Sequence, residues 1–561
     1  MALMASSLLN GERAVVLLLL VRVLVSTPFS LLFESVAISL LASVALFVEI
    51  SVESSSSPPI FSTRPGASSG VLLGAVTLPI LMFSKLIQLS RGLPLEEVSL
   101  AEFQYQKLLY WATYVSCFSV LLFLARVVRY SSSSKNFLKL GLMSIPLYAL
   151  AYLMFAPGYH GSNSGVLLAM ILLWMLGHGV AAVKLIQRVL QTFPSCASIG
   201  EALLVTAGLT TYSGDILGST VIKIAQCLIS SDKFNVQFIT KRSEISTIIQ
   251  CYLLGLLLLP LVFKLSIQIM DRLTSPSSHI SPNCNGSSRS FLFFTLLMIG
   301  STLVIPFWAQ LVQDFKMHPL WWVVTFVFSE PLKRLTLCVY WVGVIAVSVH
   351  RFYRISKSSK VERILLRKYY HLMAVSMFVP ALILQPTFLN LAFGAALAAF
   401  LVLEIIRVWR IWPFGEMIHH FMNAFTDHRD SDLLIVSHFS LLLGCALPIW
   451  MSSGFNDRPL APFAGILSLG IGDTMASMVG HKYGVLRWSK TGKKTIEGTA
   501  AGILSVLAAC SFLLPVLAST GYIQNWSSLL LAVMASGLLE AYTAQLDNAF
   551  IPLAFYCLLC L

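Results

Sequence analysis

Apolar stretches of about 18 to 25 residues recur along this chain with mostly short polar connections between them, and that length reflects what each must cross. A hydrocarbon core about 30 Å thick takes roughly 20 residues of α-helix. No water reaches an open backbone there, so each crossing segment satisfies its own N–H and C=O groups as a helix. Candidate spans lie near residues 14–33, 35–51, 70–89, 107–128, 137–156, 165–186, 199–227, 247–270, 290–313, 319–328 joined to 333–350, 371–386, 389–409, 433–452, 460–480, 498–518, 527–546 and 549–561. They predict an all-α fold, a polytopic integral membrane protein with about 15 transmembrane helices. Of the 561 residues, 57% are hydrophobic and 11% charged, against about 25% charged in ordinary soluble domains, which excludes a soluble globular chain. Arg13 ahead of a leucine block imitates a secretory signal. Arg22 interrupts that block and further apolar runs follow at once, so the first run reads as a retained anchor.

The 38 Lys and Arg against 25 Asp and Glu leave a net charge of +13. In a membrane protein this excess belongs to cytoplasmic loops and implies no nucleic-acid partner. Its densest part is RFYRISKSSKVERILLRKYYH, which begins at Arg351 and divides the chain. Residues 1–350 form an N-terminal multi-span region of unassigned role, and residues 351–561 form a second membrane region. With that segment in the cytosol, the count of spans returns RIWPFGEMIHHFMNAFTDHRDSD and HKYGVLRWSKTGKK to the same side. The ten cysteines are scattered, and Cys557 and Cys560 sit in the apolar tail, so no disulfide framework or zinc site is expected. Asn285-Gly286-Ser287 and Asn525-Trp526-Ser527 match the glycosylation sequon, which requires a lumenal position clear of the bilayer.

Chemistry concentrates in LGIGDTMASMVGHKYGVLRWSKTGKKTIEGT, residues 469–499. Asp473 is costly in or at the end of a membrane helix, and an ionisable group there marks a functional site by default. Gly470, Gly472, Gly480 and Gly484 permit close backbone approach, while Lys493, Lys494, Thr495 and Glu497 close a basic loop beside water. This layout suits nucleotide phosphates at a membrane surface, although the P-loop pattern GxxxxGK(S/T) is absent. The structural alternative is a helix crossing in which Asp473 makes an interhelical hydrogen bond and the lysines only set topology. In EAYTAQLDN, Glu540, Thr543, Ala544, Asp547 and Asn548 recur at one-face helical spacing, fit to bind metal or to join helices, and Pro552 is expected to break or kink the helix beyond them. His371, His419, His420 and His438 read as interfacial residues, with His438 inside a span as the exception.

DTMASMVGHKYGVLRW, KTGKKTIEGTAAG and EAYTAQLDNAFIP, in that order, resemble the CTP-dependent polyprenol kinases, in particular the dolichol kinase branch. Further matches are Arg367, Lys368 and His371 in RKYYH, Glu404 and Arg407 in LEIIR, and the segment at 425–450 that carries Asp427, Arg429, Asp430 and His438. The KKT-x-EG string with its upstream DT-x-A is also similar to phosphatidate cytidylyltransferases. Their long terminal signature, a KD pair and a glycine-histidine-glycine run before DR, is missing here. The resemblance covers roughly residues 360–561. It implies transfer of the γ-phosphoryl group of CTP to dolichol, giving dolichyl phosphate, the lipid carrier for protein glycosylation, and CDP. It also implies an endoplasmic reticulum membrane with the active site facing the cytosol. The implied catalytic residues are Asp473, Glu497 and Asp547. Asp473, Glu540 and Asp547 are implied as ligands of Mg²⁺ or a similar divalent cation. Gly472, Asp473, Thr474, Gly480, Gly484, Lys493, Lys494, Thr495 and Gly498 are implied to bind the nucleotide. The rivals are a related phytol or polyprenol kinase, a cytidylyltransferase-like enzyme, and a transporter whose buried acids bind a coupling ion. As a metal ligand, Asp473 is expected to tolerate Asn with little loss of stability but a large loss of activity.

Overall fold

The computed structural model describes residues 10–54, 61, 63–64, 66–130, 164–228, 242–274, 286–357, 363–423, 435–488, 494–518 and 525–561. Its helices in chain order are α1 (Gly11–Val25), α2 (Leu32–Ser54), α3 (Val71–Gly92), α4 (Leu100–Tyr130), α5 (Ser164–Thr192), α6 (Ile199–Leu228) and α7 (Glu244–Thr274). Next come α8 (Gly286–Ile299), α9 (Ile305–Val312), α10 (Pro319–Ser329), α11 (Pro331–Lys357), α12 (Arg363–Leu384), α13 (Pro386–Trp409) and α14 (Gly415–Asn423). The last are α15 (Val436–Met451), α16 (Thr474–Tyr483), α17 (Ile496–Leu517), α18 (Trp526–Tyr542) and α19 (Asp547–Cys560). Among the described residues the only β contact is an isolated bridge between Arg487 and Thr495.

Nine of the described helices are long and apolar enough to cross a membrane, and five shorter apolar helices accompany them. The expected span 137–156 lies outside the described residues. The expected span 199–227 is helical as α6, which carries Glu201, Asp215 and Lys223 and is not among the nine. The expected spans 14–33 and 35–51 meet elsewhere than their apolar pattern suggests. α1 ends at Val25 and α2 starts at Leu32, because Pro28 keeps the residue before it out of the helical region.

The middle of the bundle is α3, with 94% of its apolar window buried. It packs on α2, α4, α6 and α19, and every residue of α19 from Phe550 to Cys560 is buried. One continuous apolar core therefore includes Leu41, Phe83 and Tyr114 from the first half of the chain and Leu467, Val533 and Phe555 from the second. At one end of it Asp457 takes two hydrogen bonds from Arg91, at 2.7 and 3.0 Å. Burial would raise that carboxyl, yet Arg91, Gln88 and Arg458 hold it below the ordinary carboxylate value.

From α12 onward, short connections make successive helices run back and forth. The starts of α12, α17 and α19 thus fall at the same end as the finishes of α13, α16 and α18. Before α16 the chain makes a π-helical segment, Ile466–Asp473, a widened turn often found at functional sites. α16 and α17 then cross so tightly that a Cβ at Gly498 would sit 2.6 Å from the Ala476 carbonyl, and one at Gly502 would sit 3.0 Å from the Gly472 carbonyl. The small residues Gly472, Ala476 and Gly480 face Gly498 and Gly502, the pattern by which membrane helices approach closely.

EAYTAQLDN is not one helix. α18 stops at Tyr542 and α19 restarts at Asp547, so the expected one-face stripe is replaced by a break. The Thr543 hydroxyl accepts the Gln545 N–H at 3.1 Å, a local bond that competes with helix continuation. Pro552, expected to break or kink the chain, lies within α19. Proline cannot donate to the Asn548 carbonyl, and Gly444 of α15 packs there without a Cβ to clash.

The crossing sets a prediction. Gly502→Val should force α16 and α17 apart and cost about 1 to 3 kcal/mol of stability in detergent. Gly343→Ala on α11, where an added Cβ meets nothing within 4 Å, should be silent. Equal melting temperatures for the two variants would refute the tight crossing.

Candidate active site

Asp473 ends the π-helical segment and is buried. Lys368 and His371, at i and i+3 on α12 and so on one face, both reach it. The Lys368 ammonium donates to Asp473 Oδ2, and the pair is out of water, with the side chains 6% and 4% exposed. His371 Nδ1 lies 3.2 Å from Oδ2 and 3.1 Å from the Leu469 carbonyl. Both neighbours are acceptors, which places the ring proton on Nδ1. Ser477, one turn beyond Asp473, donates to Oδ1 at 3.4 Å.

The remaining acids flank the break after α18, Glu540 in the last turn of α18 and Asp547 at the start of α19. Asp547 and Glu540 lie within electrostatic reach of Lys368, after Asp473, and Glu540 shares the lining of a small cavity with Gly472, the neighbour of Asp473. Asp547 opens α19 and accepts the Asn548 N–H at 3.1 Å, while Asn548 donates to Ser440 Oγ of α15 at 3.1 Å. Lys494 donates to the Glu540 carbonyl and lies 3.4 Å from that of Thr543, so it caps the C-terminal end of α18, where a cation is favoured. A cavity of about 20 Å³ beside Glu540, bordered by Ser468, Gly472, Gly502, Ser536 and Gly537, has room for about one water.

Other expected site residues hold the scaffold. Thr495 is the N-cap of α17 and accepts the Gly498 N–H at 3.2 Å. Glu497 accepts the Leu486 N–H at 2.9 and 3.2 Å, and Ile496 donates back to the Leu486 carbonyl at 2.8 Å. That exchange ties the loop after α16 to the start of α17. Gly480 and Gly484 lie against Thr495. Glu404 and Arg407 form a buried pair with two bonds of 2.8 Å, and Glu404 also accepts the Ile435 N–H at 2.9 Å, fixing the start of α15. Lys493, Asp427, Arg429 and Asp430 lie outside the described residues, as do the side chains of Arg367 and His438.

Among the described residues no three His, Cys, Asp or Glu side chains are placed to cage a metal ion. The donor chemistry still fits Mg²⁺, which takes hard oxygens and commonly needs only one or two carboxylates besides water and substrate phosphates. The buried Thr474 hydroxyl beside Asp473 has no hydrogen-bond partner and offers one more oxygen there.

A helical membrane protein that gathers Asp473, Glu540 and Asp547 with Lys368 and Lys494 at one end of its bundle has a polar site for a charged ligand inside an apolar frame. A family model described as dolichol kinase matches residues 179–448. The chain is 58% identical to dolichol kinase EVAN of Arabidopsis thaliana over 99% of both chains. It is 31% identical to dolichol kinase of Homo sapiens over 66% of each chain. Dolichol kinase sec59 of Schizosaccharomyces pombe is 33% identical over 47% of this chain and 54% of its own. No solved structure matches. This chain belongs to the dolichol kinase family.

Sequence reasoning missed Ser477, whose i+4 spacing from Asp473 was the available signal. It also missed that Lys368, a candidate only by resemblance, is the direct partner of Asp473. The expectation that Asp473→Asn spares stability therefore changes. Loss of that carboxylate strands a buried ammonium, a change that typically costs about 3 to 5 kcal/mol. Asp473→Asn should lower the melting temperature in detergent, and adding Lys368→Met should recover most of that loss without restoring activity. Unchanged stability of the single variant would contradict the buried pair.

Proposed function

We propose that this chain moves the γ-phosphoryl group of CTP to the terminal hydroxyl of dolichol, releasing dolichyl phosphate and CDP. Family membership supports the acceptor and the reaction class. The observation that carries the site is the buried Lys368–Asp473 pair, with Glu540, Asp547 and Lys494 grouped around it. Phosphoryl transfer asks a protein chiefly for positioning and charge neutralisation. Lys368 and Lys494 supply cations, and an arriving triphosphate gives Lys368 an alternative anion to Asp473. Asp473, with Glu540 or Asp547, would then hold Mg²⁺, which when bound neutralises charge on the phosphates. The alcohol oxygen bonds to the γ-phosphorus as the bond to the β-phosphate bridging oxygen breaks. The alcohol proton leaves to Asp473, to Asp547 or directly to water.

The nine long helices, the shorter apolar ones with Pro319–Ser329 joined to the helix that follows it, and the apolar segment 137–156 support a count near the expected 15 crossings. The positive charge after Arg351 supports a cytosolic position for the site end, in the endoplasmic reticulum membrane. The lipid tail lies between helices with its hydroxyl at that surface.

The test is purified full-length protein in detergent with CTP labelled at the γ-phosphate and a panel of lipid alcohols. Label should pass to dolichol in one step and leave unlabelled CDP. Label in pyrophosphate, with a cytidylylated lipid, would contradict the kinase reading in favour of cytidylyl transfer, and no transfer from CTP to any alcohol would contradict both.

A further inference from the structure

The break Thr543–Leu546 sits between Glu540 and Asp547, and the N-terminal half of the chain supplies five of its hydrogen bonds. A helix break leaves carbonyls and N–H groups without intrahelical partners, and in an apolar frame the protein has to supply them. Arg64 donates to the Ala544 carbonyl at 2.7 Å and is itself paired with Glu201 of α6 at 2.6 Å. Thr543 donates to Glu12 Oε2 of α1 at 3.1 Å. The Gln545 amide donates to the Ser68 carbonyl and hydroxyl at 3.0 and 2.9 Å, and it accepts from the Ser198 hydroxyl.

These partners are themselves held in place. Glu201 accepts the Ser198 N–H at 2.8 Å, Gly200 donates to the Ser69 carbonyl at 2.9 Å, and Arg64 donates its N–H to the Ala197 carbonyl at 3.1 Å. Gly70, at φ +61, leaves the space that the Gln545 amide fills. Thr543 and Gln545 are 4% and 2% exposed, so water does not replace their bonds, while the Arg64–Ala544 bond lies at the exposed edge of the break.

We propose that Arg64, Ser68, Ser69 and Gly70, together with residues 198–201, form a clasp that fixes the break and thereby aims Glu540 and Asp547 at Lys368 and Asp473. Arg64 and Gln545 are positioning residues for the reaction, and the N-terminal half is part of the site's construction. The inference rests on the proposed role of Glu540 and Asp547 in phosphoryl transfer. A comparable network elsewhere in the N-terminal half shows what purely structural pairing looks like. Arg242 binds Asp215 at 3.0 Å, Gln250 at 2.9 Å and Ser219 at 2.7 Å without touching the break.

The test uses the full chain in detergent with two readouts, amide hydrogen exchange at residues 543–548 and steady-state kinetics. Arg64→Ala and Gln545→Ala should each quicken exchange at 543–548. Each should lower kcat roughly 10- to 100-fold with KM for the alcohol nearly unchanged, the scale expected when a reacting group is misplaced by about 1 Å. In an Asp547→Asn background Arg64→Ala should add little, since coupled residues are not additive, whereas Arg242→Ala should leave exchange at the break unchanged. If Arg64→Ala fails to fold, Gln545→Ala and Arg64→Lys carry the same comparison. Unchanged exchange at 543–548, a kinetic effect matched by Arg242→Ala, or full additivity with Asp547→Asn would overturn the clasp. Wild-type activity in Asp547→Asn alone would instead remove Asp547 from the functional reading, leaving the exchange result to judge the clasp.

Discussion

A lysine and an aspartate buried together in an apolar bundle form the interaction on which the rest of the site depends. Each charge alone is costly in that setting, and together they offset much of each other's desolvation. Lys368 and Asp473 are 105 positions apart in sequence, so their meeting fixes how α12 sits against the π-helical segment and α16. His371 adds a second contact from α12, and Glu540 and Asp547 extend the negative side of the group. In the proposed reading, a triphosphate arriving at this end of the bundle would compete with Asp473 for Lys368.

A second constraint comes from the bilayer. At three described places where the backbone leaves a helix near this site, a side chain takes up a backbone polar group. Lys494 meets the carbonyls of Glu540 and Thr543, Arg64 meets that of Ala544, and Glu497 meets the N–H of Leu486. Charged residues that resemble phosphate ligands in sequence thus also hold the irregular backbone on which the acids are mounted. The glycines act in the same way, since Gly498 and Gly502 allow α17 to lie against α16.

Much of this was legible in the residues themselves. Apolar length alone placed nearly every described helix, since 247–270 is found as Glu244–Thr274 and 389–409 as Pro386–Trp409. Asp473 stood out because a carboxylate in an apolar stretch is expensive. Its partner did not, because pairing across 105 residues leaves no local pattern. The spacing of EAYTAQLDN suggested one helical face, but tertiary bonds from Arg64, Ser68 and Ser198 stabilise a break that periodicity cannot report. KKT-x-EG read as a phosphate loop, and Thr495 and Glu497 within it also use their side chains for capping and for the backbone of Leu486. Capping and ligand binding draw on the same residue types, and sequence alone does not separate them.

The central claim is that the Lys368–Asp473 end of the bundle receives the triphosphate. The most direct measurement is an experimental structure of the full chain with a CTP analogue that cannot transfer its γ-phosphate, in the presence of Mg²⁺. The account predicts the triphosphate beside Lys368 and Lys494, with Lys368 moved off Asp473 and onto a phosphate oxygen. A nucleotide bound elsewhere while the Lys368–Asp473 pair stays closed would contradict it.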